Sequence, residues 1–222
     1  FLDEEAGALY VLGPTYRPGV HLDVLKALAA SFRVEFLGPA PEEALKVVRQ
    51  AGAAQALLLL QPTRPALCSP ERFEVFVRGR EILEDVVAAV LEEFGFETVV
   101  DARLKNELGK RDEVDVWAWK DLPGHGRLHV YVSCKNARVE KKDIVRAEID
   151  RASQLIIKPE VKILVVSSMS SSAKEIAESK GFLVVEVGEN VTERNVEEAC
   201  EKVRSQLREK LSKALAELLA SS

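Results

Sequence analysis

Cysteine, methionine and histidine are scarce in this chain: its 222 residues include three Cys, one Met and three His. Cys68, Cys134 and Cys200 form no CxxC pair, so a zinc module fails on ligand count. An odd number of thiols leaves one over in any disulfide scheme, which points to reduced cysteines and a cytoplasmic setting. Long apolar runs are missing as well. An obvious apolar run, around residues 56–60, is strand-sized and far short of the roughly 18 residues of a spanning helix. The first residues carry no signal-peptide pattern. Nor is there a phosphate cradle near the start. Gly13-Pro14-Thr15 stands where GxGxxG or a Walker sequence would be needed, and proline removes a donor N–H.

What is present is a folded chain with 47% apolar and 30% charged residues and a net charge of −5. That balance excludes a protein that coats nucleic acid non-specifically, so any basic site must be local. Abundant Glu, Lys, Arg and Val with a single Met leans toward a thermophile.

Residues 1–62 read as a small βαβαβ domain: strand 8–12, helix 21–32, strand 33–37, helix 41–52 and strand 55–60. Without a nucleotide motif, it is expected to be a docking module for a protein partner. Pro62, Pro65 and Pro70 mark a linker at 63–73. A second α/β domain follows over 74–190. Its helix 80–94 has Ile82, Leu83, Val86, Val87, Val90, Leu91 and Phe94 on one face and Gly95 as a cap. Strands are expected at 97–100, 114–119 and 128–135, then helix 141–153, strand 162–166, helix 172–180 and strand 182–187. The remaining 191–222 hold an amphipathic helix with one apolar stripe, which packs either on its own chain or on a second copy.

The hairpin at 114–135 is the most informative stretch. Alternation puts Asp115, Trp117 and Trp119 on one face, and Tyr131, Ser133 and Lys135 on one face of the partner strand. A turn centred on His125 sets Asp115 against Lys135, Trp117 against Ser133 and Trp119 against Tyr131. A carboxylate beside a lysine at a sheet end suits a divalent metal and a water, or equally a plain cross-strand ion pair. The aromatic trio either stacks on an opened base or packs a sheet face. His125 and His129 lie near a glycine turn, where metal binding competes with an ordinary solvated loop. Cys134 alternates with Ser133 and Lys135, so it should be a buried inert thiol.

These elements, in this order, resemble the PD-(D/E)XK nuclease superfamily, in particular archaeal Holliday-junction resolvases and Mrr-type restriction enzymes. The likeness covers about 77–189: a helix with Glu84 ending in Gly95-Phe96, Asp115 in the Val114-Asp115-Val116 strand, and Ser133-Cys134-Lys135 in the (D/E)-X-K slot. The strand–helix–strand from Ile163 to Val185 resembles the closing unit of the Mrr type. The resemblance implies a restriction-endonuclease-like mixed sheet flanked by helices, and a Mg²⁺- or Mn²⁺-dependent enzyme acting on DNA, as a dimer. It also implies Asp115 as the metal aspartate, Lys135 as the residue that positions or activates the attacking water, and Glu84 as an auxiliary acid.

Ser133 departs from the pattern, because a neutral hydroxyl is a poor metal ligand. Some members of the superfamily with Ser-X-Lys bring the missing acid from the following helix. Glu148, thirteen positions after Lys135, is the candidate, giving Asp115 and Glu148 as metal ligands. The alternative is a site that no longer cuts, on a fold that binds DNA or a transcription or repair protein. Between 127 and 162, nine basic residues stand against five acidic ones. Asn136, Arg138, Lys141, Lys142 and Arg146 are the expected phosphate contacts, or else one solvated helix face.

Overall fold

In the computed structural model, which describes residues 2–3, 8–9, 60, 68, 82–122 and 125–221, the chain divides into two compact units. One comprises Phe1–Leu58 with Ser212–Ser222, the other Leu59–Leu211. In the first, strands β1 (Leu2–Asp3) and β2 (Ala8–Leu9) pair antiparallel. The other strands and helices expected in the βαβαβ domain, and most of the proposed linker, lie outside the described residues.

The second unit holds a five-stranded mixed sheet: β3 (Glu97–Lys105), β4 (Arg111–Leu122), β5 (Gly126–Val139), β6 (Val161–Met169) and β7 (Phe182–Glu186), side by side in chain order. The first three strands form an antiparallel meander, whereas β6 and β7 run parallel to β5 and each other. Parallel neighbours need crossovers, and these are α2 (Lys142–Gln154) and α3 (Ser171–Ser179). Helix α1 (Ile82–Glu93) precedes the sheet and α4 (Val196–Ser221) follows it.

Strand alternation creates two apolar faces. Trp117, Tyr131, Leu164, Val166 and Val184 share a buried cluster with Val145 and Ala152 of α2 and Ala173 and Ala177 of α3. On the other face, Val116, Val130, Val132, Cys134, Ile163 and Val165 are buried, and α1 packs there with Leu83, Val86, Val87, Val90 and Leu91 fully or almost fully covered. At the end of α1, Phe96 N–H bonds to Leu91 C=O (3.0 Å) and Gly95 N–H to Glu92 C=O (2.9 Å). With Gly95 at φ 79° this is a Schellman cap, and buried Leu91 and Phe96 supply its apolar contact.

Helix α4 packs on its own chain. Val196, Ala199, Cys200, Val203, Leu207 and Leu211 are all buried. Arg204 forks onto the Glu93 carboxylate at the end of α1 (2.8 and 3.1 Å). Gln206 bonds both backbone groups of Glu186 on β7 (2.7 and 3.2 Å).

Two expectations need correction. Cys68 and Cys200 form a disulfide, with Cα atoms 5.8 Å apart, while Cys134 is a buried thiol outside any disulfide. The pair is 132 residues apart in sequence, so cysteine counting could not see that α4 brings it together; the cysteine argument for a reducing compartment falls with it. The hairpin register also differs by two residues. Trp117 faces Tyr131 and Trp119 faces His129, because the ladder closes on Leu122 and Gly126, with Gly126 in the left-handed region at φ 82°. No described helix is long and apolar enough to cross a membrane.

Candidate functional site

Adjacent strands carry the first half of the site. On β4, Asp115 Oδ2 accepts three hydrogen bonds from β5: Ser133 Oγ at 3.0 Å, the Cys134 N–H at 2.6 Å and Lys135 Nζ at 2.9 Å. The corrected register thus brings the aspartate onto the Ser133 hydroxyl, while Lys135 reaches it along the strand. Ser133 has no exposed surface at all. Next to Asp115, between the pairs Val100–Val116 and Ala102–Val114, Asp101 of β3 has a left-handed backbone with φ 54°. Such a conformation is uncommon outside glycine and is best tolerated by Asp and Asn.

The second half comes from α2. Glu148 is only 3% exposed, and its Oε1 lies 3.6 Å from Lys135 Nζ. A buried carboxylate persists only with partners. Tyr131 supplies one from the β5 floor, donating its hydroxyl to Oε2 at 2.6 Å. Arg151, one helical turn further along α2, places Nη1 3.2 Å from each carboxylate oxygen. Asp115, Lys135, Glu148, Tyr131 and Arg151 are therefore one connected network at the seam between sheet and helix.

Its electrostatics follow from that packing. Burial pulls the Lys135 ammonium down, but the charges of Glu148 and Asp115 outweigh it and hold its pKa above the ordinary lysine value. Burial, reinforced by the Glu148 charge and hydrogen bond, pushes the Tyr131 hydroxyl far up. It is a permanent donor. Arg151 is likewise raised, with Glu148 overcoming the cost of burial.

The structure brings Asp115, Lys135 and Glu148 together as expected of a cluster, but it seats Glu84 in the first turn of α1, on the opposite face of the sheet. The expected phosphate contacts divide. Arg138, Lys141, Lys142 and Arg146 are exposed, Arg138 beside Glu140 (3.0 Å) and Arg146 beside Asp143 (3.3 Å). Asn136 instead holds a loop, with its amide bonding Val191 C=O (2.9 Å) and accepting from Val191 N–H (2.7 Å). This pin lies where the β5–β6 register shifts between Lys135 and Arg138.

The aromatic residues form a packed face. Trp117 and Tyr131 are buried, and His129 stacks on Trp117 at 5.5 Å between centroids. No group of three or more His, Cys, Asp or Glu side chains with metal-binding geometry occurs among the described residues. Two participants escaped the sequence reading: Tyr131, taken only as an aromatic, and Arg151. The second had a visible signal, an acid followed three residues later by a base on one helix.

No protein-family model and no curated protein matches the chain. Among solved structures, it is similar to a crystal structure described as a protein of unknown function, AF1548, at 16% identity and a TM-score of 0.37, covering 64% of this chain and all of that one.

Proposed function

We propose that the chain is a metal-dependent phosphodiesterase acting on DNA, on a sheet of the restriction-endonuclease type. The observation that carries this reading is Glu148. A buried acid from the following helix meets the same lysine ammonium that holds Asp115, where Ser133 left a carboxylate missing. The donor set fits Mg²⁺ or Mn²⁺, which bind through one or two carboxylates and keep other positions for water and phosphate. All three hydrogen bonds to Asp115 fall on Oδ2 and none of them on Oδ1. Asp115 and Glu148 would hold the cation, which when bound polarises a phosphoryl oxygen and acidifies a water.

The chain's own groups then have distinct tasks. The Cys134 N–H and Ser133 hydroxyl orient Asp115 without adding charge. Lys135, held as an ammonium, stabilises negative charge at a phosphate and steers a water by donating to it; it is no base in this state. The exposed Arg138, Lys141, Lys142 and Arg146 lie just beyond, where backbone phosphates of DNA need neutralising. A dimer and a protein-docking role for the N-terminal unit complete the reading.

One observation favours a second reading, a nuclease-fold protein that binds DNA or a transcription or repair protein without cutting. Asp115 and Glu148 already have partners for their charge inside the protein, and the residue in the acid slot is a buried serine. The test is incubation with linear, single-stranded and branched DNA in Mg²⁺ or Mn²⁺, beside Asp115→Ala, Lys135→Ala and Glu148→Gln. The nuclease reading expects cleavage by the wild type and a loss of roughly 100-fold or more in each variant. Cleavage that survives in all three overturns the site, and no cleavage of any substrate leaves the binding reading. A salt titration of DNA affinity tests the basic run, since phosphate contacts are lost steeply with salt.

A further inference from the structure

Glu148 has three partners of unequal quality. The Tyr131 bond is short at 2.6 Å and its donor has no exposed surface, so it is fixed. The two Arg151 contacts both run from Nη1 and measure 3.2 Å each, long for a charge-assisted bond, which is usually about 2.7–2.9 Å. They use one nitrogen of a group with five N–H donors. The Arg151 side chain is also 35% exposed, while that of Glu148 is 4% exposed. Arg151 is thus the more weakly bonded and more solvent-facing of these two partners of Glu148; its half-buried side chain also interacts with the Tyr131 hydroxyl, and its release requires rotation away from both.

The charges of the network cancel: Asp115 and Glu148 against Lys135 and Arg151. A divalent cation brings two further positive charges, which match a phosphodiester attacked by hydroxide, whose pentacovalent state carries two negative charges. On the metal-dependent reading given above, we propose that Arg151 is an exchangeable counter-cation and phosphate ligand. It neutralises Glu148 while no metal is bound, yields that carboxylate to the divalent ion, and turns its guanidinium to the phosphate of the substrate. Tyr131 keeps Glu148 in place during the exchange. The guanidinium fork suits a phosphate's oxygens, and the side chain starts next to the acid that holds the metal.

The exchange makes a signed prediction. If Arg151 only supported Glu148, removing it would loosen the metal site; a competitor's removal tightens it. The experiment is a titration of the full chain with Mn²⁺ alone, free ion being read by electron paramagnetic resonance, for wild type, Arg151→Gln, Arg151→Lys and Glu148→Gln. Thermal melting of each variant establishes that it is folded. The expected result is Mn²⁺ binding about three- to tenfold tighter in Arg151→Gln than in wild type, the size of a partly exposed ion pair. Arg151→Lys should bind Mn²⁺ much as the wild type does, and Glu148→Gln should lose binding. At saturating Mn²⁺, DNA cleavage by Arg151→Gln should fall by roughly tenfold or more, because a phosphate contact is gone. Equal or weaker Mn²⁺ binding in Arg151→Gln, with the wild type binding normally, overturns the exchange and leaves the nuclease reading standing. A wild type that binds no Mn²⁺ removes both.

Discussion

Tyr131 and Lys135 sit on the same strand face and meet different oxygens of the same carboxylate, yet they stabilise the fold differently. Tyr131→Phe keeps the ring in its cluster and deletes one donor to a buried charge. It should lower the free energy of unfolding by about 1–3 kcal/mol, measured by urea denaturation. A change near zero would mean that water replaces the hydroxyl. Lys135 acts through charge, and its pKa is raised on folding. The stability it adds is therefore complete below the ordinary lysine value of 10.5 and disappears as pH rises through the higher folded value. Urea titrations of wild type and Lys135→Met should show a constant difference from pH 7 to about pH 10 that shrinks above it. A difference that grows with alkalinity would contradict the assignment. Asp115 and Lys135 were legible in the sequence, because hairpin alternation places them on a common face. Glu148 was singled out through the family resemblance, by its place thirteen residues after Lys135. Its hold by Tyr131 was not, since an aromatic hydroxyl in an apolar pattern looks like any other core ring.

Periodicity located each helix and strand among the described residues of the sheet domain, and the boundary errors have physical causes. Strand β3 was expected over 97–100 but runs to Lys105; its second half does alternate, with Ala102 and Leu104 between charged Asp101, Arg103 and Lys105, but two apolar residues beyond a left-handed Asp101 are a short signal. Strand β5 continues past Lys135 through a register shift, which interrupts the pattern that defines a strand. The same shift of perspective explains the hairpin: strand faces follow from alternation, but register depends on where the turn closes, and a glycine in the left-handed region decided it. Helix ends were clearer because Gly95 is the residue that a Schellman cap demands. Gly95→Ala should destabilise the protein by about 1–2 kcal/mol, the cost of a left-handed alanine. The check is thermal melting against Gly109→Ala: that turn glycine is also left-handed, but its added Cβ meets nothing within 4 Å, so both share the backbone penalty. A Gly95→Ala protein as stable as wild type would mean that α1 ends by some other means.

At the scale of the molecule, the disulfide and the Glu93–Arg204 pair join distant parts of the chain. Glu93 also accepts the Cys68 N–H at 2.9 Å, so the cross-link and the buried ion pair share one carboxylate. Reduction should cost about 2–4 kcal/mol, seen as a lower melting temperature in reductant and reproduced by Cys200→Ser. Equal melting in both conditions would show that the bond adds nothing.

The sheet has two outer rims, β3 and β7. On β7, Gln206 lays its amide against the backbone of Glu186 as a neighbouring strand would. On β3, exposed Glu97, Asp101, Arg103 and Lys105 line the border, and the left-handed kink at Asp101 spoils its regular extension. Charged, kinked or covered borders are how soluble sheets resist growing by strand addition. At Asp101 on β3 and at Glu186 on β7, a further strand would therefore meet a kinked backbone or groups already bonded, so growth of the sheet by strand addition is disfavoured at both places.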